Sequence, residues 1–147
     1  MDSKKVILAE WDDNLRSLYS LNLSTYVNAE VVLAQSYKDI ISKLKEAPGT
    51  ALIITRAMQN GDKTAINLVE HLGPKNKIPI LVIGVEPALE GRTDFLKPNC
   101  EIKDLIKKVA HHLGVTAEKM SSLLVPDYYP IDSNFFLHLS EIGRAHV

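Results

Sequence analysis

A chain of 147 residues, 46% hydrophobic and 24% charged, has the length for one domain and the apolar content for a real core. A net charge of −1 argues against nucleic acid or an anionic membrane as a partner. The single cysteine, Cys100, excludes an internal disulfide and a cysteine-rich metal site, and no stretch reads as a signal peptide or membrane span, so a reducing, cytoplasmic setting is expected.

Val6 to Ala9 is a short apolar run, consistent with a strand buried on both faces. Asp12 or Asp13 can cap the helix that follows, whose stripe is Leu15, Leu18, Tyr19, Leu23 and Tyr26. Glu30 to Ala34 is rich in β-branched residues and predicts a second strand. Ser36 opens a second helix, with Asp39 completing an approximate capping box. Ile40, Ile41 and Leu44 form its stripe, and Pro48-Gly49 ends it.

Ala51 to Thr55 predicts the third strand, and Asn60-Gly61 a turn. The next helix carries Ile66, Val69 and Leu72 and stops at Gly73-Pro74. Ile78 to Ile83 predicts a fourth strand and Asp94 to Leu96 a short fifth. Asn99 can cap the last helix, with a stripe of Ile102, Leu105, Ile106, Val109 and Leu113 and a stop at Gly114. Between Gly84 and Asp94 there is room for a single helical turn at best.

Strands and helices alternate, and the strands are continuously apolar. That combination predicts an α/β doubly wound sandwich: a five-stranded parallel sheet in the flavodoxin-like order 2-1-3-4-5, its fourth helix shortened or missing. In such sheets the functional site lies beyond the carboxyl ends of the strands. Those ends are Glu10-Trp11, Thr55, Gly84 and Lys97.

Four segments at these ends fall in a meaningful order: AEWDDNLR (residues 9 to 16), TRAMQNGD (55 to 62), IPILVIG (78 to 84) and DFLKP (94 to 98). Over about residues 4 to 114 the chain resembles the receiver domains of bacterial two-component response regulators, which have a CheY-like fold. Receivers often read A-E-D-D-x-x-x-R in the first segment. Glu10 matches the first acid of the metal-binding pair, Trp11 replaces the second, and Arg16 falls in place. The second segment is similar to D-x-x-M-P-x-x-D-G, with Thr55 on the phospho-accepting aspartate, Met58 on the methionine, Gln59 on the proline, Asp62 on the later acid and Lys63 on the glycine. Gly84 stands where a threonine or serine is expected. Lys97-Pro98 match the family's lysine and cis-proline turn, and Phe95 lies about one residue off its aromatic switch position.

The resemblance implies that the chemistry is missing. An acyl-phosphate needs a carboxylate nucleophile. Thr55 offers only a hydroxyl, with no histidine nearby in sequence to activate it. Mg²⁺ demands near-octahedral oxygen geometry, and here Trp11 and Thr55 stand in for two carboxylates. The pattern is that of a pseudo-receiver, a degenerate pocket of Glu10, Trp11, Thr55, Gly84 and Lys97 with no catalytic residue, no metal and no cofactor. Lys97 then needs a partner, and Glu10 or the Thr55 hydroxyl is expected to supply it.

The remaining candidates have plain readings. Trp11 reads as packing that fills the emptied pocket, Asp12 as a helix cap rather than half of a shifted acidic pair, and Asp62 as a solvated loop acid. Cys100 lies near a helix N-terminus, where thiol pKa values can fall, but reads as structural. His111 and His112 are adjacent on a helix, share no face, and read as surface residues. Lys103, Lys107 and Lys108 read as a solvated face.

Residues 1–115 are expected to form the receiver-like domain, and 116–141 a linker and the start of a truncated output domain. The segment YYPI…FF is similar to linkers in bacterial signalling proteins, including cyclic-di-GMP phosphodiesterases of the HD-GYP kind, and assigns no output. IGRAHV, residues 142–147, matches a translated sequencing adapter and is expected to be non-native. The expected function is a phosphorylation-independent regulatory module, not an enzyme, that meets a protein partner or a second copy of itself. Its contact surfaces are expected on the helix of 99–113 and the crossover of 85–93, with no nucleic acid or membrane bound. The alternatives are an atypical phosphoacceptor, a small hydrolase, and a small-ligand sensor using the former pocket.

Overall fold

The structure, a computed structural model, describes residues 3–59, 61–117 and 124. Strand β1 (Lys4–Ala9) leads into helix α1 (Asp13–Tyr26), then β2 (Ala29–Ala34), α2 (Tyr37–Glu46), β3 (Thr50–Arg56), α3 (Thr64–Leu72), β4 (Ile80–Ile83), β5 (Asp94–Leu96) and α4 (Ile102–Leu113). All strand pairs are parallel, and the sheet order is β2-β1-β3-β4-β5, as predicted. Alternate residues of each strand serve opposite faces. Val6, Leu8, Leu52, Ile54, Leu81 and Ile83 pack into a first core beneath α1 and α4. Ile7, Ala9, Ile53 and Val82 pack into a second core beneath α2 and α3.

The predicted caps form. Asp12 Oδ1 accepts from Leu15 N at 2.9 Å, and Ser36 Oγ from Asp39 N at 3.1 Å. Asp39 returns the contact by accepting from Gln35 N at 2.9 Å. Gly114 closes α4 in the left-handed region at φ 67°, donating to Ala110 O and His111 O.

Strands β1, β2 and β3 start one or two residues earlier than expected, at Lys4, Ala29 and Thr50, and β3 runs on to Arg56. Two further boundaries differ for a clear reason. β4 begins at Ile80 rather than Ile78, because Pro79 has no N–H to give a ladder and Ile78 is held in a local turn by the Asn76 carboxamide, at 2.9 and 3.0 Å. Asn99 does not cap α4. Cys100 N donates to Lys97 O at 3.1 Å in a turn, and the cap position falls to Glu101, which makes no side-chain capping bond. The peptide bonds are trans among the described residues, Lys97–Pro98 included.

The crossover from β4 to β5 contains only a 3-10 turn, Pro87–Leu89. Leu89 (2% exposed) plugs the second core where a helix would otherwise lie, and Val85 is left out in solvent. At the β5 edge, Leu96 turns its carbonyl to β4 and accepts from Gly84 N at 2.9 Å. Phe95, the next residue back, therefore turns its backbone to the open side. Its N–H is taken there by Asp94 Oδ1 at 2.9 Å.

Among the described residues no helix is long and apolar enough to cross a membrane. The expected linker and tail lie outside the described residues, apart from positions 116, 117 and 124.

Candidate functional site

Strand alternation decides what meets at the carboxyl end of the sheet. Glu10 lies two residues beyond Leu8, and Arg56 two beyond Ile54, so both side chains lean to the α1/α4 side. There Arg56 Nε donates to Glu10 Oε2 at 2.6 Å. Arg56 Nη1 reaches across to Pro98 O at 2.9 Å and so ties the end of β3 to the loop after β5. Glu10 is 3% exposed. Its other oxygen accepts from Asp12 N at 3.2 Å, and its carbonyl accepts from Arg16 Nη1 at 3.1 Å. Arg16 also pairs with Asp13. Burial works against the Arg56 charge, but Glu10 outweighs it and holds the pKa above its ordinary value.

Thr55 points to the opposite face and is fully buried, its hydroxyl donating to Arg56 O at 3.0 Å. Lys97 is exposed, and among the described residues no hydrogen bond or ion pair engages its amine. The expected contact of Lys97 with Glu10 or Thr55 is therefore overturned. Arg56 extends from the strand next to Glu10, takes that carboxylate, and leaves Lys97 free to stay in water. Arg56 carries no motif to mark it, although the parity of LIITR against ILAE places it beside Glu10.

Trp11 is half-buried, packs against the second core, and donates from Nε1 to Met58 O at 3.2 Å. Gly84 has φ 137°, a region that side chains strongly disfavour, and a Cβ there would sit 2.9 Å from Ala57 Cβ. Cys100 is buried beside Arg56, and burial pushes its thiol pKa up against the pull of that guanidinium. The predicted site residues thus share one end of the sheet but form no single constellation.

A second polar cluster lies beside β5. Asp94 accepts from Lys108 Nζ at 2.9 Å and faces His112 Nε2 at 3.0 Å. His112 and Lys108 are therefore not simply solvated surface, as their spacing suggested; His111 is exposed. Burial raises the Asp94 pKa, but the bonds from Lys108, Phe95 N and His112 outweigh it and hold the carboxyl below its ordinary value. The stabilisation is therefore full above about pH 4, the ordinary aspartate value, and is lost as pH falls through the lowered one. Asp94→Asn is expected to cost about 1 kcal/mol at neutral pH, because the cluster is partly exposed. Urea melts at neutral and acidic pH should show that gap closing in acid.

No family model matches the chain, and no curated protein matches it. Solved structures do. It is similar to the receiver domain of the hybrid histidine kinase CckA (22% identity, TM-score 0.62, covering 74% of this chain and 98% of that one). It is similar to the chemotaxis protein CheY4 of Vibrio cholerae (18%, TM-score 0.63, 75% and 98%). It is also similar to a CheY-like response regulator receiver domain protein of Methanospirillum hungatei JF-1 (19%, TM-score 0.63, 76% and 94%). With strand order, helix placement and these superpositions in agreement, the chain has the CheY-like fold of response regulator receiver domains.

Proposed function

We propose that the chain is a phosphorylation-independent, receiver-like regulatory module of bacterial signal transduction, working by contact with a protein partner or a second copy. One observation carries the reading: the Arg56 guanidinium is bonded to Glu10 at 2.6 Å at the strand ends where a receiver needs clustered acids. A divalent cation does not fit this arrangement. Among the described residues at these strand ends Glu10 is the carboxylate in place and is already neutralised by Arg56, Asp12 caps α1, and Asp13 is paired with Arg16. A cation approaching Glu10 would also meet a fixed positive charge.

Covalent chemistry at Thr55 has equally little support. The hydroxyl is buried at 0% exposure and donates to a backbone carbonyl, and among the described residues no base is hydrogen-bonded to it. The same burial of Thr55 and Glu10 leaves little polar surface for a small ligand in the former pocket. What remains accessible is shape. Val85 is 73% exposed above the shortened crossover, beside a cleft of about 380 Å³ lined by Gly84, Pro87, Phe95, Lys97 and Pro98 among others. A partner or second copy would meet the module on that side.

Incubation with Mg²⁺ and a small acyl-phosphate donor tests the reading. Intact-mass measurement is expected to show no phosphoryl adduct, and Trp11 fluorescence no response to Mg²⁺ alone. A stable adduct on Thr55 or Asp62 would overturn it.

A further inference from the structure

Asn22 lies in the buried stripe of α1, among Leu18, Tyr19, Leu23 and Tyr26, and is 0% exposed. A carboxamide in such surroundings costs on the order of a few kcal/mol unless its donors and acceptor find partners. Its own helix supplies one: Nδ2 donates to Leu18 O at 2.8 Å. The others come from 102 positions away. Nδ2 also donates to Leu124 O at 2.9 Å, and Oδ1 accepts from Leu124 N at 3.1 Å.

These two bonds reproduce what a facing residue offers in the hydrogen-bonded pair of an antiparallel ladder. They engage the backbone of residue 124 and are indifferent to its side chain. Leu124 also packs, with Val115 and Ala117, against the core under α1 and α4. Polar matching and apolar burial thus act on the same segment.

We propose that Asn22 is a positioning residue, a backbone clamp that fixes where the chain leaves the domain. Its occupant is Leu124 of this same chain. Residue 124 is thereby held at a set point on α1. Displacing Leu124 strips two of the three hydrogen bonds that the Asn22 carboxamide makes among the described residues. Release therefore gives up two well-placed hydrogen bonds, only partly replaced by water, as well as packing. The clamp shares no residue with the Glu10–Arg56 pair, so it stands or falls separately from the reading of that pocket.

Limited trypsin digestion of the full chain, followed by mass spectrometry, tests the clamp at Lys119, which lies between α4 and the clamped residue. Asn22→Leu removes the carboxamide at similar volume. Leu124→Pro removes the N–H that Oδ1 accepts and leaves Asn22 untouched. Each is expected to speed cleavage after Lys119 by about tenfold, as local opening becomes easier. Cleavage after Arg56, inside the sheet, should stay at the wild-type rate. If Asn22→Leu does not fold, Leu124→Pro is read against Leu124→Ala, which loses the packing but keeps the N–H, and faster cleavage in the proline variant than in the alanine variant decides the matter. Unchanged cleavage after Lys119 in Leu124→Pro, or a parallel rise after Arg56, would overturn the proposal.

Discussion

Arg56→Met is expected to destabilise the fold by about 3 kcal/mol, the lower end of the range for removing one partner of a buried ion pair. The low end applies because the Arg56 side chain keeps 17% of its surface in solvent, against 4% for Glu10. The cost comes mainly from the partner left behind. Glu10 would keep its bond to Asp12 N but carry an uncompensated charge in a nearly closed site. Glu10→Gln should cost less, since the carboxamide oxygen can still accept from Asp12 N and Arg56 retains the Pro98 carbonyl. The double variant should recover much of the loss. A double-mutant cycle by urea denaturation should return a coupling of at least about 1.5 kcal/mol, well above exposed pairs. A coupling near zero would mean that the pair is an incidental contact and that the pocket has no internal latch. Because the pair is largely shielded, the coupling should survive added salt.

Gly84→Ser is expected to cost about 2–3 kcal/mol, from a backbone angle unsuited to a side chain together with a collision. The collision has no easy escape. Ala57 N is bonded to Ile83 O at 3.2 Å and Gly84 N to Leu96 O at 2.9 Å, so neither backbone can back away without breaking a bond across the sheet. Ala57→Gly would clear the overlap but leave the φ of 137° strained, so it should rescue Gly84→Ser only in part. Thermal midpoints of the single and double variants separate the two contributions. A Gly84→Ser protein as stable as wild type would mean that this loop relaxes freely. A hydroxyl side chain at Gly84 thus strains the junction of β4 with the loop after β3.

The fold was legible because its signals are local. Apolar runs gave the strands, Asp12 and Ser36 offered caps within reach of their own helices, and Gly114 marked a stop that the backbone uses. The short crossover could be measured in residues. The site was legible in place but not in pairing. Glu10, Trp11, Thr55, Gly84 and Lys97 all lie at the predicted end of the sheet, but family resemblance drew attention to Lys97 when the cation that matters is Arg56. Counting alternate residues along β1 and β3 would have exposed it. Asn22 was harder to foresee. It looks like a blemish in an amphipathic helix, and its meaning depends on Leu124, for which no periodicity within α1 gives a hint. Asp94 was read only as the start of a strand, and its ties to Lys108 and His112 needed the helix and strand to be docked first.

The carboxylate of Asp94 has one more effect. By occupying the outward amide of Phe95, it removes the donor that a neighbouring polypeptide would need to extend the sheet at that rim. Two copies brought together there find one fewer donor for joining their sheets. Strand addition at β5 is thereby disfavoured, which lowers the tendency of crowded molecules to stack along that rim.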